Sequence, residues 1–315
     1  MCFTIMAKRG EKRINIGLII LIAVAVFIVL AVVSCSVLIF SGEPMPSGNV
    51  ALIEIKGTIT VEGISGLGWK GASSEEIVKY IEKADEKNSI KAILLDINSG
   101  GGSAVASQEI ADAIRNAKKP SYAVIREIGT SGAYWIASAC DTVICHEMSI
   151  TGSIGAVASY LEFSGLLEHY NISYQRLVSG PYKDIGSPYK ELTVNERAIL
   201  EKMLAEVHEY FVADVARNRN LSVDKVSGIA TGEFFLGKDA YGLGLVDVLG
   251  GMKEAESLMK EELNLAEIDF AEYKKPGSLL DILMGAFSEQ FFYIGRGIGD
   301  SLVNSRIANR IDIIT

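Results

Sequence analysis

The feature that most constrains the fold is a regular alternation of short apolar runs and helical patterns. Near-continuous apolar runs at 91–97, 121–126 and 141–145 have the composition of buried strands. Between them, the patterns over 104–118 and 133–139 predict helices, and the connections are short. This order predicts βαβ units, and therefore an α/β domain built on a largely parallel sheet with helices on its faces.

Two glycine-rich loops follow successive predicted strands. The first, 98–103, reads Asn-Ser-Gly-Gly-Gly-Ser, and the second, 128–133, reads Ile-Gly-Thr-Ser-Gly-Ala. In parallel sheets, sites form at the carboxyl ends of strands, which is where both loops would lie. Ser131 sits at a predicted strand-to-helix turn among small residues, where the first helical N–H groups are free to receive an oxyanion. Ser131 is therefore a candidate nucleophile.

A serine hydroxyl needs a base before it can attack a carbonyl. The chain has three histidines, His146, His169 and His208. They fall at a predicted strand end and in predicted helices, not in glycine-rich loops. The G-x-S-x-G pattern of hydrolases is also absent around Ser131, because Ala133 stands where the pattern has its second glycine. These observations disfavour a Ser-His-Asp triad. A desolvated lysine can replace histidine because burial lowers the pKa of an amine, and Lys183 stands in an irregular stretch, 179–188, between prolines.

Further elements follow from local patterns on either side of these loops. Val50 to Ile55 predicts a first strand, and the five glycines of 56–72 predict a long flexible loop. The Ser73-Ser74-Glu75-Glu76 sequence predicts a helix start. The later predicted elements are a helix over 160–170, a strand over 173–178, a long helix from Thr193 to about Arg217, a helix over 251–263 and a strand over 267–273.

An apolar segment near the amino terminus indicates a membrane anchor. Residues 16–40 carry no charge, and 25 residues are enough to span a bilayer core of about 30 Å. The basic residues before the segment are Lys8, Arg9, Lys12 and Arg13. Because clustered basic residues stay in the cytoplasm, we expect a cytoplasmic tail over 1–15, an anchor over 16–40, a linker over 41–49 and everything beyond outside the cytoplasm. The alternative is a cleaved signal peptide, whose apolar region is usually only about 7–15 residues long.

The remaining sequence divides into one large domain, 50–265, and a C-terminal extension, 266–315. The extension has apolar residues at helical spacing after Pro276, which predicts an amphipathic helix that contacts another subunit or the membrane surface. This arrangement leaves a single domain to carry the chemistry.

Composition excludes several classes of function. The net charge of −9 does not suggest nucleic-acid binding. The three histidines form no metal-binding pattern, so we expect no metal and no cofactor. The four cysteines form no disulfide framework. Cys140 and Cys145 could pair outside the cell, although two small core thiols are the favoured interpretation.

Several stretches resemble segments of one peptidase family. They are 98–103, which resembles N-S-P-G-G-S; 130–135, which resembles A-S-G-G-Y-W/Y; 150–155, which matches I-T-G-S-I-G; 182–188, which resembles a lysine-bearing segment; and 237–240 with 244–247, which add a further match. In this order they resemble the signal peptide peptidases of the SppA type over about residues 48–265. Those enzymes are serine proteases with a Ser–Lys dyad. The resemblance implies a ClpP/crotonase-like α/β domain of repeated ββα and βαβ units, preceded by one transmembrane helix.

Carried over by position, the resemblance implies a role for five residues. Ser131 would be the nucleophile and Lys183 the general base. The backbone N–H groups of Gly102 and Gly132 would form the oxyanion hole, and Ser153 would orient the lysine amine. The chain departs from the family pattern at three positions: Gly100 in place of proline, Thr130 in place of alanine and Ala133 in place of glycine. None of these changes removes a catalytic side chain.

The resemblance also implies substrates and assembly. The expected substrates are cleaved signal peptides and other unfolded peptides, with lipid contact through the anchor, and the family forms ring- or bowl-shaped homo-oligomers. Two alternatives remain. One is a crotonase-like acyl-CoA enzyme, which would need neither Ser131 with Lys183 nor an anchor. The other is a non-catalytic membrane scaffold of the same fold, against which the intact Ser131, Lys183 and Gly102 argue.

Overall fold

The computed structural model describes residues 21, 23–31, 46–63, 65–66 and 69–274. The chain divides into two compact units, Met1–Pro46 and Ser47–Thr315. In the first unit, residues 23–31 are helical. No helix within the described ranges is both long enough and apolar enough to cross a membrane. Most of the predicted anchor, 16–40, and the whole predicted amphipathic helix after Pro276 lie outside the described residues.

The second unit contains the strands and helices that build the domain. The strands are β1 Val50–Lys56, β2 Ile59–Thr60, β3 Ser65–Gly66, β4 Trp69–Lys70, β5 Ala72–Ser73, β6 Ala92–Ser99, β7 Ser121–Thr130, β8 Thr142–Cys145, β9 Ile150–Gly152, β10 Phe234–Leu236, β11 Val248–Leu249 and β12 Phe270–Tyr273. The helices are α1 Ser74–Glu86, α2 Ala104–Asn116, α3 Gly132–Ser138, α4 Ser164–His169, α5 Val194–Asn218, α6 Val223–Ile229, α7 Gly237–Leu243 and α8 Met252–Glu262.

The main sheet is largely parallel, as the alternation of strands and helices predicts. Its path is β10-β9-β7-β6-β1-β12, and β8 pairs with both β7 and β11. Every described pair in this sheet is parallel except β9 with β10. The first half of β7 pairs with β8 through 122–125, and its last three residues pair with β9 through 128–130. The end of β7 therefore lies between β6 and β9.

Both faces of the sheet are buried, which explains the near-continuous apolar character of β6. Ile93, Leu95 and Ile97 belong to the larger core cluster, which also contains residues of α1, α2, α3 and α5. Leu94 belongs to a smaller cluster with Met259 of α8. Because successive side chains of a strand point to opposite faces, the helices α1 to α3 lie on one side of the sheet and α8 on the other.

Three segments differ from the sequence prediction. Residues 173–178 form no strand and are exposed, and the Arg176 side chain binds Asp184 and the carbonyl of Pro181. The predicted helix over 160–170 is reduced to α4. The predicted flexible loop over 56–72 contains structure instead, since β2 pairs with β5 and β3 pairs with β4.

The capping and cysteine predictions agree with the structure. Ser73 caps α1 by accepting from the Glu76 N–H, and Thr193 with Glu196 forms a complete capping box on α5. Cys140 and Cys145 are free and buried, as expected of core thiols. Burial raises the pKa of the Cys145 thiol to about 11 and raises that of Cys140 further, so neither thiol is activated.

The helix α3, which follows the second glycine-rich loop, is fixed from two sides. The Tyr134 hydroxyl donates to the carbonyl of Leu245 at 2.9 Å. The Trp135 ring stacks on Phe211 of α5 with centroids 4.5 Å apart, and its Nε1–H donates to Asp214 at 3.0 Å. Every residue of α3 is buried. These contacts set the position of the turn that precedes the helix.

We expect Trp135→Phe to lower the free energy of unfolding by roughly 1–3 kcal/mol, because it keeps the ring stack but removes a donor from the buried Asp214. The measurement is thermal and denaturant unfolding of the purified chain. Tyr210→Phe on α5, where the tyrosine is 68% exposed, is the matched control and should change little. Equal stability of the two variants would contradict this account of how α3 is held.

Candidate active site

Ser131 occupies a strained turn between the end of β7 and the start of α3. Its backbone has φ 54° and ψ −126°, a conformation that residues other than glycine rarely adopt. Its N–H is held at 2.9 Å by the carbonyl of Gly152. Ser131 is the N-cap of α3, yet its side chain makes no capping hydrogen bond. The hydroxyl is therefore left available for chemistry, in the manner of a nucleophile at a sharp strand-to-helix turn.

The loop after β6 approaches this turn more closely than any side chain would allow. Gly101 has φ +99°, and a Cβ placed on it would lie 2.8 Å from the Gly132 nitrogen and 2.9 Å from the Ser131 Cβ. Ser99 fixes the loop, since its hydroxyl accepts from the Gly101 N–H at 3.1 Å and donates to the Gly57 carbonyl. A glycine at 101 is thus a requirement of the geometry.

Backbone pairing between this loop and β2 orients the N–H group of Gly102. The Ile59 N–H donates to the Gly101 carbonyl at 3.0 Å, and the Ser103 N–H donates to the Ile59 carbonyl at 2.8 Å. In such a parallel bridge between Ile59 and Gly102, the backbone groups of Gly102 itself point to the opposite edge. The Gly102 nitrogen lies close to the start of α3, because a Cβ on Gly132 would lie 3.4 Å from it.

Two backbone N–H groups therefore lie close to Ser131. Gly132 is the first residue of α3, so its N–H has no acceptor within the helix. The Gly102 N–H comes from the facing loop. A pair of fixed N–H groups next to a free hydroxyl can receive the negative charge that develops on a carbonyl oxygen under attack.

Ser153 reaches the same place from a third element. Because Thr130 of β7 pairs with Gly152 of β9, the residues that follow them are neighbours. Ser153 also has a positive φ of 51°, and its N–H donates to the Glu233 carbonyl at 2.8 Å. Ser131 and Ser153 line one cavity of about 510 Å³. The segments that directly follow β6, β7 and β9 thus supply four of the five predicted site residues: Gly102, Ser131, Gly132 and Ser153.

His208 also lines this cavity, which the sequence analysis did not anticipate. Its Nε2 lies 2.9 Å from the Ala230 carbonyl. Since a carbonyl can only accept, Nε2 carries the proton and Nδ1 is the ring acceptor in the neutral form. At the level of sequence, the position of His208 in the middle of a long helix argues against a catalytic role. The spacing of Leu204 and His208 by four residues, which puts both on one face of α5, was the available signal.

Lys183, the fifth predicted site residue, is carried by a different segment of the chain. It is exposed within the segment 155–193, and its N–H donates to the Gly180 carbonyl in a turn. It is not among the described residues that line the Ser131 cavity. The next residue, Asp184, binds Arg176 through two contacts of 2.7 and 2.8 Å, and this pairing lowers the pKa of the Asp184 carboxyl. The ion pair fixes the turn that carries Lys183.

This fold and turn define the class of protein: a serine protease with a ClpP-like domain. A sequence profile of Clp protease matches residues 66–150, and one of peptidase family S49 matches residues 113–266. The chain belongs to peptidase family S49, and it is a serine endopeptidase.

The relatives agree with this assignment. The chain is 30% identical to a provisionally named protease of Methanocaldococcus jannaschii, with 95% of this chain and 96% of the relative covered. It is 31% identical to a protein of Enterococcus faecium provisionally named signal peptide peptidase SppA, over 74% and 69% of the two chains. It is 29% identical to the chloroplastic serine protease SPPA of Arabidopsis thaliana, over 75% of this chain and 36% of that one.

We expect Gly101→Ala to lower kcat/KM for peptide cleavage by about 100-fold or more, because the added methyl group displaces Ser131 and Gly132, and small misplacements at a reacting centre are costly. Steady-state kinetics on a fluorogenic peptide measures the effect. Gly100→Ala is the matched control, since no described heavy atom lies within 4 Å of its added Cβ. Similar activity in the two variants would contradict the close approach of the two loops.

Proposed function

We propose that this chain is a membrane-anchored serine endopeptidase that cleaves peptides through a Ser131–Lys183 dyad and an acyl-enzyme. The observation that carries the proposal is the strained Ser131, with its uncapped hydroxyl beside the N–H groups of Gly102 and Gly132. Membership in peptidase family S49 supports the choice of serine as the nucleophile. The lysine rests on its resemblance to the family's lysine-bearing segment.

In the proposed mechanism, the neutral Lys183 amine takes the proton of the Ser131 hydroxyl as its oxygen attacks the peptide carbonyl. The Gly102 and Gly132 N–H groups donate to the resulting oxyanion, and losing one such donor typically costs about 3–4 kcal/mol of barrier. The lysine ammonium then gives its proton to the leaving amine. A water molecule, deprotonated by the same lysine, hydrolyses the ester and releases Ser131. Ser153 accepts a hydrogen bond from the amine and orients it.

Oligomer formation is part of the proposal because Lys183 does not line its own chain's cavity. The segment that carries it exposes large apolar side chains, among them Leu161, Tyr170 and Leu177, the last of which is 95% exposed. Soluble surfaces rarely leave such side chains grouped and uncovered. We infer that copies of the chain cover these apolar side chains in a homo-oligomer and thereby bring a Lys183 amine to each Ser131.

The anchor over 16–40 and the basic residues of the cytoplasmic tail 1–15 support a location at the membrane, with the domain 50–265 on the outer side. In this arrangement the site stands beside the bilayer, where cleaved signal peptides remain. The Enterococcus faecium relative is named for that activity. The proposed substrates are therefore released signal peptides and other unfolded peptides, and the extension 266–315 contacts a neighbouring subunit or lipid.

We expect Ser131→Ala and Lys183→Met each to abolish peptide cleavage, by at least about 1,000-fold, while the fold is kept, because each removes one half of the acyl-transfer machinery. Peptide kinetics and circular dichroism are the measurements. Lys202→Met on α5, where the side chain is exposed, is the matched control and should retain activity. Full activity in Ser131→Ala or in Lys183→Met would rule out the dyad.

The exposed position of Lys183 leads to a further prediction. We expect a mixture of the inactive Ser131→Ala and Lys183→Ala chains, assembled together, to recover up to about a quarter of the wild-type activity, because one subunit supplies serine and its neighbour lysine. The measurement is peptide cleavage after the two variants are unfolded and refolded together. Separately refolded variants are the control. No recovery in verified mixed oligomers would show that Lys183 serves only its own chain.

A further inference from the structure

The cavity at Ser131 has a neighbour along α5, a second cavity of about 720 Å³. Leu204 lines both, and the distal cavity also has Leu200 and Arg197 from the same helix. Leu200, Leu204 and His208 are spaced by four residues and lie on one face of α5. The facing wall is the exposed segment after Ser153, which contributes Val157 near Ser131 and Tyr160 farther away. The two cavities adjoin at Leu204, and together they are called the groove, with a proximal part at Ser131 and a distal part at Leu200.

The chemistry of this groove changes along its length. Beside Ser131 the walls carry the small apolar side chains of Ala156, Val157, Ala205 and Ala230, together with the uncharged polar groups of Ser153 and Thr231 and the His208 ring. The distal part instead has three carboxylates and one guanidinium, those of Glu162, Glu191, Glu201 and Arg197. The proximal part suits an apolar peptide segment, and the distal part carries a surplus of negative charge.

Within the described ranges, no basic side chain lies closer than 3.8 Å to one of the distal carboxylates in an ion pair. The Arg197–Glu201 pair has its atoms 3.8 Å apart, and both side chains are 65% exposed, so it contributes little. Glu162 bonds with Ser164, and hydrogen bonds from the Ser164 side chain and N–H lower the pKa of the Glu162 carboxyl, which keeps it charged. Glu191 is exposed. The distal part therefore offers negative charge to a ligand.

The length of the groove sets the spacing of its two parts. From Leu200 to His208 the axis of α5 rises by roughly 12 Å, at 1.5 Å per residue. An extended peptide covers that distance in about four residues, at about 3.3 Å each. A peptide with its scissile bond at Ser131 therefore places a side chain about four residues away among the distal carboxylates.

We propose that this distal part, lined by Glu162, Glu191 and Glu201, is a subsite for a lysine or arginine side chain of the substrate. The preferred substrate would then have an apolar stretch at the scissile bond and a basic residue about four positions away. The inference rests on the proposed function, because it takes Ser131 as the point of cleavage. A cleaved signal peptide has this chemistry, since its basic region adjoins its apolar one.

The test uses a set of apolar peptides, each with one lysine at a different position on either side of the scissile bond. For each peptide, the uncharged reference has glutamine in place of the lysine. We expect kcat/KM to rise about fivefold, mainly through KM, when lysine is about four residues away on one side. This preference should weaken at high salt, because exposed charges are screened. It should also be lost when Glu162, Glu191 and Glu201 are all changed to glutamine.

Glu209→Gln is the matched control, because Glu209 is exposed on the same helix but lines a different surface. It should keep the lysine preference. The wild-type enzyme could instead cleave all the peptides equally well, wherever their lysine stands, while still depending on Ser131. That result would overturn the subsite and leave the proposed function intact. An equal loss of preference in Glu209→Gln would also overturn the subsite, since bulk charge would then be the cause.

A third result would overturn the subsite in a different way. If the triple glutamine variant changes the oligomeric state, measured by light scattering, while lysine position has no effect, the acidic part is covered by a second copy of the chain. By contrast, cleavage that persists in Ser131→Ala would defeat the proposed function itself. The peptide series is measured on the wild-type enzyme. It can therefore refute the subsite even if the triple glutamine variant folds poorly.

Discussion

The active-site geometry depends on the close approach of two loops at the ends of β6 and β7. Gly101 and Gly102 lie against Ser131 and Gly132 at distances that leave no room for a side chain on Gly101. This approach is possible because β6 and β7 are parallel neighbours whose ends coincide, with Ser99 opposite Gly129. The pairing of the loop with Ile59 of β2 turns the Gly102 N–H away from β2. Backbone pairing thus positions the donors before any side chain is involved.

The strain at Ser131 is maintained by packing elsewhere. A positive φ at a residue other than glycine costs on the order of 1–3 kcal/mol and persists only where neighbouring structure fixes it. Here α3 is fully buried, and Trp135 joins it to Phe211 and Asp214 of α5. On the other side, the Gly152 carbonyl holds the Ser131 N–H. The long helix α5 therefore has two roles, because it supports α3 and also forms the wall of the substrate groove.

Much of this could be predicted from sequence because it is local. The alternation over 91–145 determined the parallel sheet, and the glycine-rich loops at 98–103 and 128–133 identified the sheet edge. The rest depends on contacts between distant residues. Residues 173–178 have strand composition but meet no partner strand, and the pairing of β2 with β5 and Gly102 has no local signal. His208 could have been found only by reading one face of α5. The relation of Lys183 to Ser131 stays a prediction.

The central claim is that Ser131 is the nucleophile of this peptidase. Treating the purified chain with a fluorophosphonate and mapping the modified residue by mass spectrometry tests it most directly. The account predicts a single adduct on Ser131, formed in parallel with loss of peptide cleavage and absent from Gly101→Ala, in which the turn is displaced. An adduct on Ser153 or another serine, with Ser131 unmodified while cleavage is lost, would contradict it.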